Sequence, residues 1–227
     1  MVVTIPHFSN QLGLTALLIN LQPQLNENDI FYIVDNSVNK SGFAIAKMFN
    51  THRSIMLVET SGLELYQSWN AGIDCMLENN QEGVLIINDD VLFSQTAISS
   101  LKRAKSDHLA YTFACPNRAY SADTISSYFK WYGKPNLTIK DTDWLTGFAF
   151  YLKKDCVKQF GKFNEDFKIW YGDDEYADRI QGKIGRITSE YIYHFGSKSY
   201  GYKDSETQRK IQLDRLLYRS IKKSQSS

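Results

Sequence analysis

Apolar positions in the first half of the chain keep switching between two rhythms. Val2–Ile5 is a short apolar run ended by Pro6, and Leu14, Leu17, Leu18 and Leu21 then recur at i, i+3, i+4 and i+7. That order predicts a strand followed by an amphipathic helix. Ile30–Val34 is apolar without a break, as a strand covered on both faces should be. Residues from about Gly42 to Asn50 predict a helix, Ile55–Val58 a third strand, and Val84–Ile87 a fourth. Between the last two, the spacing of Leu65, Trp69, Ile73 and Leu77 predicts another helix. Strands alternating with helices need crossover connections, so the expected fold is α/β with a mostly parallel central sheet flanked by helices.

The second half is less regular. From about Ala110 to Leu145 the chain is rich in Tyr, Phe, Trp, Ser and Asn with weak periodicity, which predicts loops and short strands. Thr146–Leu152 reads as a strand, Asp174–Gln181 as a short helix, and Ile192–His194 as the close of another strand. Glu206 to Lys223 reads as a basic helix with apolar residues at Ile211, Leu213, Leu216, Leu217 and Ile221. Neither a repeat nor a linker interrupts the pattern. One domain is therefore expected over residues 1–205, with halves at about 1–105 and about 106–205, followed by a basic helix and tail over 206–227.

Composition narrows the class. A chain of 227 residues can build one α/β domain with a substantial core. With 43% hydrophobic and 22% charged residues it reads as globular and soluble, and its 14% aromatic share also suits a site that stacks bases or sugar rings. A formal net charge of +1 gives no pull toward nucleic acid, so no nucleic-acid partner is expected. Cys75, Cys115 and Cys156 are far apart with no CxxC pair, which points to reduced thiols in a cytoplasmic protein. No apolar run approaches the roughly 18 residues of a membrane span. The opening residues read as a strand and lack the basic and apolar regions of a signal peptide, so the sequons at Asn39 and Asn136 are taken as incidental.

Candidate chemistry sits where strands end. In open parallel sheets, ligands bind beyond the carboxyl ends of the strands. Asp35 directly follows Ile30–Val34, and Asn88-Asp89-Asp90 directly follows Val84–Ile87. Carboxylates there are costly unless a cation or hydrogen-bond donors offset them. A divalent metal such as Mn²⁺ or Mg²⁺, shared with a nucleotide diphosphate, would do so. A turn that caps a helix over Gln95–Arg103 would also use these acids.

Several short patterns, in order, resemble the large inverting glycosyltransferase family 2. They are Thr4-Ile5-Pro6, Asp35-Asn36-Ser37, Asn70-Ala71-Gly72-Ile73 and Asn88-Asp89-Asp90. The resemblance continues through Gly147-Phe148, the turn Gly161-Lys162-Phe163-Asn164-Glu165, and Gly172-Asp173-Asp174 running to Arg179. It implies a single GT-A-type, Rossmann-like domain whose first half binds a nucleotide sugar and whose second half receives the acceptor. Pro6 and Asp35 would line the base pocket and Asp89 would lie near the ribose, with Thr4, Asn70 and Asn88 on the same donor side. Asp90 would ligate the metal that bridges the diphosphate. The first motif position is Asn88 where the family usually has Asp, which leaves one carboxylate fewer. His194, before a Gly/Ser stretch, would contact metal or diphosphate, and Lys198 would offset diphosphate charge.

An inverting transfer also needs a base to take the acceptor hydroxyl's proton. Asp173 and Asp174 are the candidates, although acids at a helix N-terminus also serve capping. Counting back from Arg179 favours Asp173, and aligning the acidic pair favours Asp174. Trp131, Tyr132, Trp144, Trp170 and Tyr171 flank these motifs; Trp144, Gly147 and Trp170 are the candidates for acceptor contacts. The basic helix, with Arg209, Lys210, Arg215, Arg219, Lys222 and Lys223, could rest on an anionic membrane where lipid-linked acceptors reside, or be a solvated face. The expected function is metal-assisted transfer from a nucleoside-diphosphate sugar to a glycan, lipid-linked or protein acceptor, as in polysaccharide biosynthesis. Two rivals are a sugar nucleotidyltransferase and a non-catalytic sugar-binding protein on the same fold. The first would carry a basic Gly-rich loop where Pro6–Asn10 stands; the second would have lost Asp90 and the Asp173–Asp174 pair.

Overall fold

Strand β1 (Val2–His7) is buried at every position because it lies between two parallel neighbours and beneath helices on both faces. In the computed structural model, which describes residues 1–49, 55–59, 62–115, 136–195 and 204–225, it pairs with β2 (Ile30–Asp35) on one side and β4 (Gly83–Ile87) on the other. Strand β3 (Ile55–Glu59) adds to the far side of β2, again parallel. Helices α1 (Gln11–Leu21), α2 (Ser41–Phe49) and α3 (Leu65–Glu78) make the crossovers, as the alternating pattern predicts.

One boundary differs from the sequence reading. Pro6 does not end β1; it pairs with Val34, and the strand runs on to His7. Only Val2–Thr4 pair with β4, so past Thr4 the strand has one partner and a proline's missing N–H costs little.

The remaining described elements are β5 (Val91–Phe93), α4 (Ala97–Arg103), β6 (Ala110–Ala114), β7 (Ile139–Thr142), β8 (Ala149–Lys153), α5 (Lys154–Phe160), α6 (Gly172–Arg179), β9 (Ile184–His194) and α7 (Ser205–Gln225). Among the described residues nine strands connect in the order β3-β2-β1-β4-β8-β6-β9-β5, with β7 also on β9. The first four are parallel. Beyond β4 the sheet is mixed, because β8 enters antiparallel between β4 and β6 while β9 runs parallel to β6. Strand β8 starts at Ala149 and not at Thr146. Thr146 instead closes a turn, its carbonyl accepting from the Ala149 N–H at 2.9 Å and its hydroxyl donating to the Ala149 carbonyl at 2.6 Å.

Alternation along the strands divides the core in two. Val3, Ile5, Leu85 and Ile87 face α1, α2 and α4, whereas Val2, Val84 and Ile86 face Trp69 of α3 and Tyr176 of α6. The C-terminal helix α7 departs from the apolar stripe expected of it. Its buried residues are Thr207, Ile211 and Asp214, while Leu213 and Leu216 are exposed. Among the described residues no helix is long and apolar enough to cross a membrane.

Long β9 is tied to the β5–α4 corner by Glu190, which is fully buried and accepts hydroxyl hydrogen bonds from Ser94, Thr96 and Ser100 at 2.5–2.9 Å. Glu190→Ala removes the acceptor of the buried Ser94 and Ser100 hydroxyls, and should cost about 2–4 kcal/mol of stability in urea unfolding. A loss below about 0.5 kcal/mol would mean that the hydroxyls re-pair at no cost.

Candidate functional site

The chain moves to one side of β1 to lay down β2 and β3, then returns to its other side for β4. That reversal opens a crevice at the carboxyl ends of β1 and β4, where open α/β sheets take ligands. A cavity of about 450 Å³ occupies it. Tyr66, Trp69, Ile169 and Trp170 contribute apolar surface; Asn88, Asp89, Asp90, His194, Asp173 and Asp174 contribute polar surface.

The metal-type groups lie on the β4–β5 turn. Val91 stands opposite His194 in the β5–β9 pairing, which sets the imidazole beside the preceding residue, Asp90. His194 Nε2 is 3.2 Å from Asp90 Oδ2, the Phe195 N–H donates to the Asp90 carbonyl at 2.9 Å, and the imidazole stacks on Phe148 at 4.1 Å. Asp90 Oδ1 and Asn88 Oδ1 are buried and have no hydrogen-bond partner. Orphaned buried oxygens call for an occupant, and a hard divalent cation or a donor group on a ligand would satisfy them. No group of three or more His, Cys, Asp or Glu side chains that could hold a metal occurs among the described residues. The donor set, a carboxylate, an imidazole and an amide oxygen, fits a cation whose remaining ligands are diphosphate oxygens and water.

Asp89 also lines the cavity, but its carboxylate pairs with a different histidine. Its Oδ2 is 2.8 Å from His7 Nδ1, and His7 Nε2 is 3.0 Å from Ser41 Oγ, with both His7 and Asp89 buried. His7 thereby joins the ends of β1 and β4 to the first turn of α2. The sequence reading passed over it; the signal available was a polar residue extending the unbroken buried run of β1.

Four expected site residues do not line the cavity. Asp35 is buried and accepts from the backbone N–H groups of Ser37 at 3.0 Å and Phe43 at 2.8 Å, which fastens the first turn of α2. Thr4 is buried under α3, so close that a Cβ on Gly72 would lie 2.2 Å from its hydroxyl. Asn70 is bonded in both directions to Phe163 and donates to Glu165 at 2.8 Å, stitching α3 to the turn after α5. Trp144 is half exposed, with the Arg186 guanidinium 5.3 Å from its ring centre. Lys198, Trp131 and Tyr132 lie outside the described residues, as does most of the Gly/Ser/Lys/Tyr-rich stretch that follows Phe195.

Facing the β4–β5 turn is the N-terminus of α6. The helix starts at Gly172, two residues earlier than the sequence pattern predicts, because Tyr171 takes a left-handed φ of 66° and the Gly172 N–H donates to the Tyr66 hydroxyl at 2.9 Å. Asp173 then projects beside Gly147, where any Cβ would sit 2.1 Å from Asp173 Oδ2. Only glycine allows that approach. Burial against this wall, reinforced by the charge of Asp174, pushes the Asp173 carboxyl up to about 6; its own N–H, that of Asp174 and the Tyr66 hydroxyl 3.4 Å away pull it only part of the way back. Asp174 is more exposed, and it too is raised, by burial and then by Asp178. A carboxyl that titrates near neutrality inside a cleft is suited to exchanging a proton with a ligand hydroxyl.

No family model matches the chain, and no curated protein matches it. Solved structures do. The S. aureus TarS fragment 1–349 in complex with UDP-GlcNAc superposes with a TM-score of 0.60 at 15% identity, over 95% of this chain and 65% of that one. GalNAc-T7 with UDP, GalNAc and Mn²⁺ gives 0.67 at 9% identity, over 93% and 47%. The mannosyltransferase PcManGT of Pyrobaculum calidifontis with GDP-Man and Mn²⁺ gives 0.60 at 15% identity, over 92% and 59%. This chain spans about half to two thirds of the length of the structures it matches. The fold it shares with them is the GT-A-type glycosyltransferase fold.

The environment of Asp173 makes a stability prediction that needs no substrate. Its folded-state pKa of about 6 lies above the ordinary 3.8, so between those values the folded chain binds the proton more tightly than the unfolded one. Stability therefore falls as pH rises through that window and stays lowered above it. Asp173→Asn should be more stable than wild type at about pH 7.5, on the order of 1–2 kcal/mol, with the difference closing toward about pH 4. Paired urea titrations read this directly, and a wild type equal to the variant at the higher pH would refute the buried-carboxyl account.

Proposed function

We propose that the protein is an inverting glycosyltransferase that moves a sugar from a nucleoside-diphosphate sugar to a hydroxyl acceptor. The observation that carries this reading is the convergence, in one crevice at the sheet's switch point, of Asp90 with an unsatisfied oxygen and Asp173 with a raised pKa. The fold shared with nucleotide-sugar complexes supports the same reading, and two of those neighbours were crystallised with Mn²⁺.

Asn88, Asp90 and His194 would hold Mn²⁺ or Mg²⁺, whose positive charge would stabilise the departing diphosphate. Pro6 and Asp89 line the cavity and would contact the donor. Thr4, Asp35 and Asn70 would act on the donor only indirectly, through the elements they brace, and Lys198 would offset diphosphate charge. Asp173 is the base of choice. Its carboxylate takes the proton of the acceptor hydroxyl as that oxygen bonds to the anomeric carbon, and the bond from that carbon to the diphosphate oxygen breaks with its electron pair leaving on the diphosphate. Attack on the face opposite the leaving group inverts the configuration. Asp174, more exposed and beside Asp178, is the secondary candidate. Trp170, 37% exposed on the same wall, would contact the acceptor sugar, with Gly147 keeping the floor beneath Asp173 free of side chain.

Turnover measured across a panel of UDP-, GDP- and dTDP-sugars, with Mn²⁺, with Mg²⁺ and with chelator, tests the proposal. Turnover is expected with one donor class and should disappear on chelation. Asp173→Asn should lower kcat about 10²- to 10⁴-fold while nucleoside-diphosphate affinity stays within about twofold. The wild-type rate should rise with pH through an inflection near the Asp173 value of about 6, since the base must be ionised. Absence of turnover with every donor, together with no thermal protection by any nucleoside diphosphate, would sink the reading.

A further inference from the structure

The segment leading into α6 is held from outside by the C-terminal helix. Asp214 of α7 is 1% exposed, and its carboxylate accepts three successive backbone N–H groups: Lys168 at 2.9 Å, Ile169 at 2.8 Å and Trp170 at 2.9 Å. The next residue is gripped by the same helix. Arg215 Nε donates to the Tyr171 hydroxyl at 3.1 Å, and the Tyr218 ring stacks on Tyr171 at 5.5 Å. One turn further along, the Tyr218 hydroxyl donates to Asp178 at 2.7 Å and Lys222 pairs with it at 3.0 Å, so both ends of α6 are referenced to α7.

An apolar residue would fill the space of Asp214 with less desolvation, so packing does not explain a carboxylate there. Three convergent N–H groups do, because successive amides that point inward form a concave anion site. Three of the four N–H donors of the strap 168–171 are thereby taken by one side chain, and its course into the left-handed turn at Tyr171 is set by a group more than forty residues away in sequence.

We infer that Asp214 is a positioning residue: it fixes the 168–171 strap so that Trp170 faces the cleft and Asp173 is presented beside Gly147. The kinetic consequence rests on the transferase reading, whereas the structural one does not. In Asp214→Ala the strap loses its common acceptor and Asp173 drifts from the reacting hydroxyl. Misplacement on the order of 1 Å costs up to about 10²-fold in rate.

The test pairs Asp214→Ala and Asp214→Asn with Ile211→Ala, a packing loss on the same helix that leaves the strap bonded. All are assayed below their unfolding temperatures. Asp214→Ala should lower kcat about 10- to 100-fold with donor KM within about twofold, Asp214→Asn should fall between it and wild type, and Ile211→Ala should keep wild-type kcat. Hydrogen exchange followed by mass spectrometry should open residues 168–178 in the Asp214 variants and residues of α7 alone in Ile211→Ala. Unchanged kcat in Asp214→Ala, equal effects of Asp214→Ala and Ile211→Ala, or exchange confined to α7 in the Asp214 variants would each overturn the inference. If Asp214→Ala does not fold, Asp214→Asn carries both readouts. If the wild type turns over no donor, the transferase reading fails and exchange alone decides the role of Asp214.

Discussion

Taking a carboxylate out of water is the constraint around which this molecule is arranged. The chain buries many of them, and each structural one is surrounded by donors. Asp29 has the N-terminal amine at 2.8 Å and Lys102 at 2.5 Å; Asp35 has the N–H groups of Ser37 and Phe43; Glu190 has three hydroxyls; Asp214 has three amides. Among the described residues, two acids of the cleft, the buried Asp90 and the half-buried Asp173, stand apart. Asp90 keeps an oxygen with no partner, and Asp173 keeps a proton well into the range where its ordinary counterpart has lost it. Full satisfaction separates the acids that hold the fold from those left with capacity for a ligand.

Those two acids come from different halves of the chain, and the sheet brings them together. Asp90 sits at the end of the parallel half, where the strand order reverses, and its partner His194 arrives at the tip of β9 after 103 intervening residues. Asp173 stands on a helix whose entry is set by Tyr66 from α3 and by the last helix of the chain. The site therefore depends on contacts distant in sequence, and rearranging either half displaces one wall against the other. Its rigidity comes from fully bonded neighbours: His7 between Asp89 and Ser41, and Glu190 in its ring of hydroxyls.

Periodicity made the first half legible. Helices and parallel strands leave a short-range trace, so β1 to β4, α2 and α3 could be drawn with errors of a residue or two at their ends, and α1 by its buried stripe, three residues short of its start. Acids at strand ends were equally visible, since a polar residue directly after a buried apolar run stands out. What the pattern could not convey was pairing. Whether Asp35 faces a ligand or the amides of its own turn depends on how α2 enters, and nothing local encodes that. Asp214 left a trace that was not used: three residues after Ile211 and three before Leu217, it lies on the helix's inward stripe, and an acid there implies donors waiting opposite. The leucines at 213 and 216 drew attention away, yet they face outward.

Tyr171 combines two properties that selection for robustness would set against each other. Its left-handed backbone, at φ 66°, costs a non-glycine residue about 1–2 kcal/mol, which glycine would recover. Its ring and hydroxyl, however, are where Tyr218 and Arg215 take hold. Glycine here would relax the backbone and, in the same stroke, release the C-terminal helix from the loop beside the acid, so the two effects on stability oppose each other. Even a chain that melted no earlier would have lost its registration, visible only to an assay that asks where Asp173 is pointing.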